Sequence, residues 1–304
     1  MKIQLCATLV ILTLLMAGCA QTPLTPSPSP ATASPQLPTV QPINESPAAT
    51  VAPLTLDMLK NATYYAPYTQ KYVPLVDGHF EKGSGSDFLS VTLLPQVALG
   101  DLNGDGAMDA AVLLAENSGG SGTFVSLLAI LNQNGKLVQA ANPAPVDDRP
   151  QINDLKIQDG KILLDAVIHG PNDSMVLPTL ADKSTYAVSG ERMWLTHLEF
   201  TASGGSPHSI TIESPLWGAE VSQSVQVKGS MPISPFEATL GYSIEDAAGN
   251  VVDRGSFMVT SADVGAPATF DHTFDLAGVP SGTILHISLF EADMSAFHQY
   301  LALD

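Results

Sequence analysis

The chain has 304 residues, 45% hydrophobic and only 14% charged, with a formal net charge of −18 at pH 7. The length gives room for a leader and two ordinary domains, and charge is too sparse for those domains to be disordered. The negative surface excludes nucleic acid as a partner, and the two cysteines, Cys6 and Cys19, exclude a disulfide-rich scaffold.

The first element reads as a leader. Lys2 supplies its positive end, Ile3 to Met16 is an apolar run too short to span a bilayer comfortably, and Ala17 and Gly18 precede a cysteine. Met16-Ala17-Gly18-Cys19 resembles a bacterial lipobox, with Met where Leu is usual. The resemblance implies a diacylglyceryl group on the Cys19 thiol, cleavage before that residue and N-acylation. A plain secretory signal peptide and an uncleaved anchor are the rival readings. Under the lipoprotein reading Cys6 leaves with residues 1–18, and no thiol remains for disulfides, zinc or catalysis. Losing Lys2 and no acid then takes the net charge from −18 to −19. Acyl chains at Cys19 place the protein on the cell or outer membrane with its domains outside the cytoplasm.

Residues 20–53 carry nine prolines among Ser, Thr and Ala, with Glu45 as the sole charge. Such a tether favours extended polyproline II and reaches roughly 100 Å at about 3.1 Å per residue.

A first domain over 54–200 is predicted to be mainly β, with antiparallel strands after one short helix that Thr55 caps and Leu56, Leu59 and Ala62 pattern. Strands are expected near 71–80, 88–99, 108–115, 123–132, 136–141, 153–158, 161–168, 184–189 and 192–200. Asn134-Gly135, Asp159-Gly160 and Ser189-Gly190 supply turns between them. Phe124 to Leu131 is apolar at nearly every position, which a central strand covered on both faces requires. Tyr64, Tyr65, Tyr68 and Tyr72 form an aromatic cluster that reads better as packing than as a groove, because Pro67 and Pro74 break the segment.

Between the second and third of those strands, residues 101–109 read Asp-Leu-Asn-Gly-Asp-Gly-Ala-Met-Asp. Hard cations take six to eight oxygen ligands, and side chains at alternate positions of a tight loop point at one centre. Asp101, Asn103, Asp105 and Asp109, with the Ala107 carbonyl, make five protein ligands for a structural Ca2+. Gly106 stands where the chain must bend sharply. An EF-hand needs a bidentate acid at position twelve, where this chain has Val112. The loop therefore resembles the D-x-[DN]-x-D-G-x-x-D loops of integrin-type FG-GAP repeats, which implies calcium held in a β-hairpin. A solvated acidic turn is the rival reading.

No catalytic signature emerges. Gly119-Gly120-Ser121-Gly122 lacks the spacing of a nucleophile elbow, and no H-E-x-x-H or phosphate-binding glycine loop occurs. His169 lies within reach of Asp165 or Asp173 as an acid–base pair, or is a solvated turn residue. Asp147-Asp148 before Arg149-Pro150 offers a carboxylate pair, but adjacent acids in a Pro-rich stretch read better as a solvated turn.

Thr201 to Pro207 forms a small polar boundary. Beyond it, strands near 208–213, 223–229, 236–246, 250–260, 268–276, 283–291 and 297–302 describe an immunoglobulin-like β-sandwich over 208–304. His272 falls on its apolar side and reads as packing. Ile210 to Pro215, Val225 to Gly229, Phe236 to Thr239 and Phe290 to Ala292 resemble the Gmad2-type immunoglobulin-like domain of bacterial sporulation and germination proteins. That resemblance implies an extracytoplasmic, non-catalytic module. The expected function is a lipid-anchored, calcium-stabilised binding or scaffolding protein of the cell envelope, its partner an envelope protein or polysaccharide. An envelope hydrolase with its site in the first domain is the alternative.

Overall fold

Thr55 opens the fold as a helix N-cap, its hydroxyl accepting the Met58 N–H at 3.2 Å. The cap starts a five-residue helix, α1 (Leu56–Lys60), which buries Leu59. The computed structural model describes residues 53–170, 173–201 and 205–291. The leader, Cys19, the tether, part of the boundary after Thr201 and the strand expected near 297–302 lie outside the described residues.

After α1 the tyrosine segment folds back on itself. Strands β1 (Thr63–Ala66) and β2 (Lys71–Pro74) pair antiparallel, with Tyr65 opposite Tyr72. Tyr64 is buried and donates to the Leu59 carbonyl at 2.7 Å, which ties the hairpin to α1. On the side of β1 away from β2, the Gln139 amide accepts the Tyr65 N–H at 2.9 Å and donates to the Tyr65 carbonyl at 3.1 Å. The strand expected over 71–80 is interrupted where Asp77 and Gly78 take positive φ, and β3 (His79–Lys82) begins beyond that turn.

A larger sheet follows, built from β4 (Leu89–Gly100), β5 (Asp109–Asn117), β6 (Phe124–Gln133) and β7 (Lys136–Gln139) in the order β3-β4-β5-β6-β7. β8 (Ala144–Asp148) also pairs with β6, so the acids expected in a turn lie on a strand. β5 and β6 are buried on both faces, as their unbroken apolar runs require. Alternation sends Ala110, Val112 and Leu114 to a core under α1 and β1. Ala111 and Leu113 go to the opposite core, shared with the next sheet. Each leucine so buried contributes about 1.5–3 kcal/mol.

That next sheet contains β9 (Gln151–Gln158), β10 (Lys161–Ile168), β11 (Leu180–Ser189), β12 (Arg192–Thr201) and β13 (Pro207–Ser209), in the order β13-β12-β11-β10-β9. Ile162, Leu164, Tyr186 and Met193 fill the space between the two sheets. Two-residue turns set the register: Asn134-Gly135 and Asp159-Gly160 both have positive φ at both positions, the conformation that matches strand twist.

The remaining strands are β14 (Thr211–Ser214), β15 (Ser224–Met231), β16 (Thr239–Asp246), β17 (Val251–Met258), β18 (Thr260–Ser261), β19 (Ala268–Asp275) and β20 (Leu285–Glu291). They form a four-stranded sheet, β14-β15-β19-β18, and a three-stranded sheet, β17-β16-β20. Val225, Val227, Leu240, Ile244, Phe257, Phe270 and Phe274 fill the core between them. His272 stacks on Phe257 at 4.4 Å, the packing role its position in the sequence indicates. The fold is thus mainly β and antiparallel, with one short helix ahead of it and an immunoglobulin-like sandwich at its end. The strand expected from 236 starts at Thr239, because Glu237 and Ala238 take positive φ in a short 3-10 turn.

Candidate functional site

The 101–109 loop joins β4 to β5 as a hairpin, with Gly100 opposite Asp109 in register. The two ends of the motif are therefore held together by the ladder. Asp101 folds the loop around itself, accepting the Gly104 N–H at 2.7 Å on Oδ1 and the Gly106 N–H at 2.9 Å on Oδ2. Asn103 Oδ1 accepts the Asp105 N–H at 3.0 Å, and Asp105 Oδ1 accepts the Ala107 N–H at 2.7 Å. Gly104 and Gly106 have φ near +77° and +81°, which L side chains adopt at a cost.

Asp109 differs from its neighbours in being fully buried. Its Oδ2 accepts the Leu102 N–H at 2.9 Å and its Oδ1 accepts the Asn132 N–H at 2.8 Å. It thus ties the loop to the end of β6. Burial raises its pKa; the two backbone N–H groups oppose that, and the negative charges of Asp105 and Asp101 add to it. Three carboxylates are thus close enough to feel one another. Among the described residues, however, no group of three or more His, Cys, Asp or Glu side chains converges in a metal-holding arrangement. In this conformation the loop oxygens face backbone N–H groups and the Asn103 amide, which donates to Asp105 Oδ2 at 3.1 Å. Each carboxylate oxygen keeps a second lone pair, so the donor set is compatible with a hard cation.

His169 does not meet the acids that sequence proximity favours. Its partner is Asp147 on β8, whose Oδ2 lies 2.7 Å from Nδ1 and also accepts the His169 N–H. Asp165 accepts from Asn153 instead, and Asp173 accepts from the Gly170 N–H and Thr179. The imidazole is largely buried rather than solvated. Its Nε2 is buried without a hydrogen-bond partner among the described residues, so none of their hydroxyls joins the pair. Asp148 is likewise no free turn acid. Burial raises its pKa, yet the Arg149 guanidinium, at 2.7 Å, and the Thr123 N–H win and hold it below the usual carboxylate range.

The tyrosine cluster divides into packing roles. Tyr65 pairs with Tyr72 at 5.3 Å, and Tyr68 stacks on Phe124 at 4.4 Å. Cys19 lies outside the described residues.

Sequence reasoning passed over three buried sites. Glu116 anchors the β1–β2 turn through Tyr68 and Thr69. Asp182 on β11 lines a very small cleft with Pro145, Val146, Leu164, Ser184 and Tyr186. Burial pushes its carboxyl up to about 6 against the Ser184 hydroxyl, and Asp165 adds to the rise. Trp194, Trp217 and His286 meet where β12 faces β20. A lone acid or ring in an alternating strand carries no spacing signal, so only the folded register reveals these three.

The two-sheet arrangement from β14 to β20 agrees with the comparison to known families. Residues 209–296 match the Gmad2 model, the immunoglobulin-like domain of bacterial spore germination. No curated protein and no solved structure matches the chain. The matched segment covers β14 to β20 and adds the Gmad2 sandwich to the ligand-type loop and the buried acids of the preceding strands. Among the described residues no helix is long and apolar enough to cross a membrane.

Proposed function

We propose that this chain is a lipid-anchored protein of the cell envelope that works by binding or scaffolding rather than by catalysis. The observation that carries the reading is the Gmad2 match over 209–296, whose strands β14 to β20 form a two-sheet sandwich. In this reading Cys19 carries the lipid, the Pro-rich tether spaces the domains from the bilayer, and 54–200 and 208–304 are separate domains. The binding partner is an envelope protein or polysaccharide.

Asp101, Asn103, Asp105, the Ala107 carbonyl and Asp109 would hold Ca2+, which would supply charge neutralisation to a crowded acidic hairpin. The support is the mutual repulsion felt at Asp109 and its two backbone ties. Through those ties, occupancy of the loop would stiffen the β4–β5 hairpin and the end of β6 together. The role is structural.

Immobilised full-length chain exposed to envelope extract, with and without Ca2+, tests the proposal. It expects one defined partner, lost when residues 205–304 are removed and weakened by chelation. Equal capture by the truncated chain would overturn the assignment to the Gmad2 sandwich.

The hydrolase reading has one observation in its favour, the His169–Asp147 pair with a free Nε2. An acid–base pair becomes acyl-transfer machinery only with a nucleophile or activated water in reach. Loss of a measured envelope-hydrolysing activity in His169→Gln would move the assignment to that reading.

A further inference from the structure

The chain has two tryptophans, and both stand against the same histidine. His286 lies on β20 of the Gmad2 sandwich. Its ring centroid is 4.4 Å from that of Trp194, on β12 of the preceding domain, and 5.9 Å from that of Trp217 in the segment between β14 and β15. The ring is buried, hydrogen-bonds the Leu195 backbone on β12, and has Nδ1 3.3 Å from Ser288 Oγ. Neutral imidazole satisfies one donor and one acceptor in that arrangement.

Arg192 fastens the same seam. It donates to the Ala248 carbonyl in the β16–β17 turn at 3.1 Å and to Asn142 Oδ1 at 2.7 Å, and it lies 5.2 Å over the Trp194 ring. At the far end of the seam Phe200 stacks on His208 at 5.0 Å. The contacts from β12 to β20 and to the β16–β17 turn thus join the two domains through side chains, while β13 continues the first sheet into the linker.

We propose that His286 is a proton-operated latch: neutral, it seats the Gmad2 sandwich on β12, and protonated, it releases the sandwich from that seat. The proposal rests on the division into two domains and on neither the calcium loop nor the lipid. His286 is buried against Trp194 with the exposed Trp217 at its edge, so charging the ring takes an ion out of water, and only the indole faces partly offset that loss. Burial accordingly depresses the His286 pKa to about 4, with the Leu195 hydrogen bond acting weakly the other way. In the released state the ring meets water and titrates near its ordinary value of 6.5. The docked form therefore has the depressed pKa. Its advantage is complete above pH 6.5 and is lost as pH falls toward 4. The docked-to-released ratio drops by up to about tenfold per pH unit, roughly 300-fold in all from well above 6.5 to well below 4.

The charges around the ring decide whether this sense survives. From β12 the nearby charge is Arg192, a cation that disfavours imidazolium. From β16, Glu245 stands opposite His286 in register and favours it, but its carboxylate accepts from Ser243 Oγ at 3.1 Å. In the segment carrying Trp217 the ionisable side chain is the exposed Glu220. On β20 itself, Glu291 faces His208 of β13 at 3.7 Å. Glu291 is buried against that imidazole, five positions along β20 from His286.

Both tryptophans report on the seam, so their emission in the full chain is the test, titrated from pH 8 to 3.5 with far-ultraviolet circular dichroism in parallel. The expected result is a shift of emission to longer wavelength between pH 6.5 and 4 at unchanged β signal. His286→Phe, which keeps a ring in place without a titrating group, should abolish it. A flat emission profile, a shift retained in His286→Phe, or simultaneous loss of the β signal would each overturn the latch. Should His286→Phe not fold, the wild-type His286 Cε1–H resonance, assigned through contacts to the indoles, decides the matter. A midpoint well below 6.5 supports the proposal and an ordinary midpoint overturns it.

Discussion

Glu116 and Thr69, 47 positions apart, are joined twice: one carboxylate oxygen accepts both the Thr69 N–H at 3.0 Å and the Thr69 hydroxyl at 2.9 Å. The other oxygen accepts the Tyr68 N–H at 3.2 Å. Glu116 is buried within the β5 ladder, so its charge is balanced by this turn. Replacing it strands backbone donors at a cost of about 1–3 kcal/mol each. Glu116→Ala should lower first-domain stability by about 2–3 kcal/mol in urea unfolding, and Thr69→Val by about 1 kcal/mol. A loss under about 0.5 kcal/mol for Glu116→Ala would show that the turn is held by other contacts.

Chelation should lower the melting temperature of the first domain and leave that of the Gmad2 sandwich unchanged. With free Ca2+ a hundredfold above its dissociation constant, linkage stabilises the folded state by about 2.7 kcal/mol. Asp105→Ala should remove the calcium dependence while the hairpin persists, because Asp101 and Asp109 still hold the loop ends. Equal melting with calcium and with chelator in the wild type would refute metal binding at 101–109.

Asp182 should make first-domain stability fall as pH rises. Its folded pKa, about 6, lies above its ordinary 3.8 because burial penalises the charge. The stabilisation is complete below pH 3.8 and is lost as pH passes through about 6. The loss amounts to about 3 kcal/mol once the group is ionised. Asp182→Asn should therefore gain up to about that much over wild type at pH 8 and almost nothing at pH 4. A variant that is equally destabilised at both pH values would mean that the carboxylate is needed for its hydrogen bond to Ser184 rather than penalised for its charge.

Cys19→Ser should move the protein from the membrane to the soluble fraction, since one thiol is the expected lipid site. Continued membrane fractionation of that variant, with the leader uncleaved, would favour an uncleaved anchor.

Much of the fold was legible because burial leaves a periodic trace. β10 was readable to the residue, as Ile162, Leu164, Ala166 and Ile168 alternate after the tight Asp159-Gly160 turn. β8 was missed because Pro145 and two acids mask a strand whose pairing with β6 is broken by a bulge between Val125 and Ser126. The loop at 101–109 was legible as a motif, since its spacing is local. The His169–Asp147 pair was not, because 22 positions separate its members and nearer acids compete in sequence. The seam at His286 was hidden for the same reason: rings on β12 and β20 meet only once both sheets are formed.

Gln139 gives the small sheet of β1 and β2 a boundary. A two-stranded ribbon with a free outer edge is a template on which another chain can add a strand. At Tyr65 that template is filled: the Gln139 amide takes both the N–H and the carbonyl, as an incoming strand would. One side chain thus blocks strand addition at Tyr65, beside the turn that joins β1 to β2.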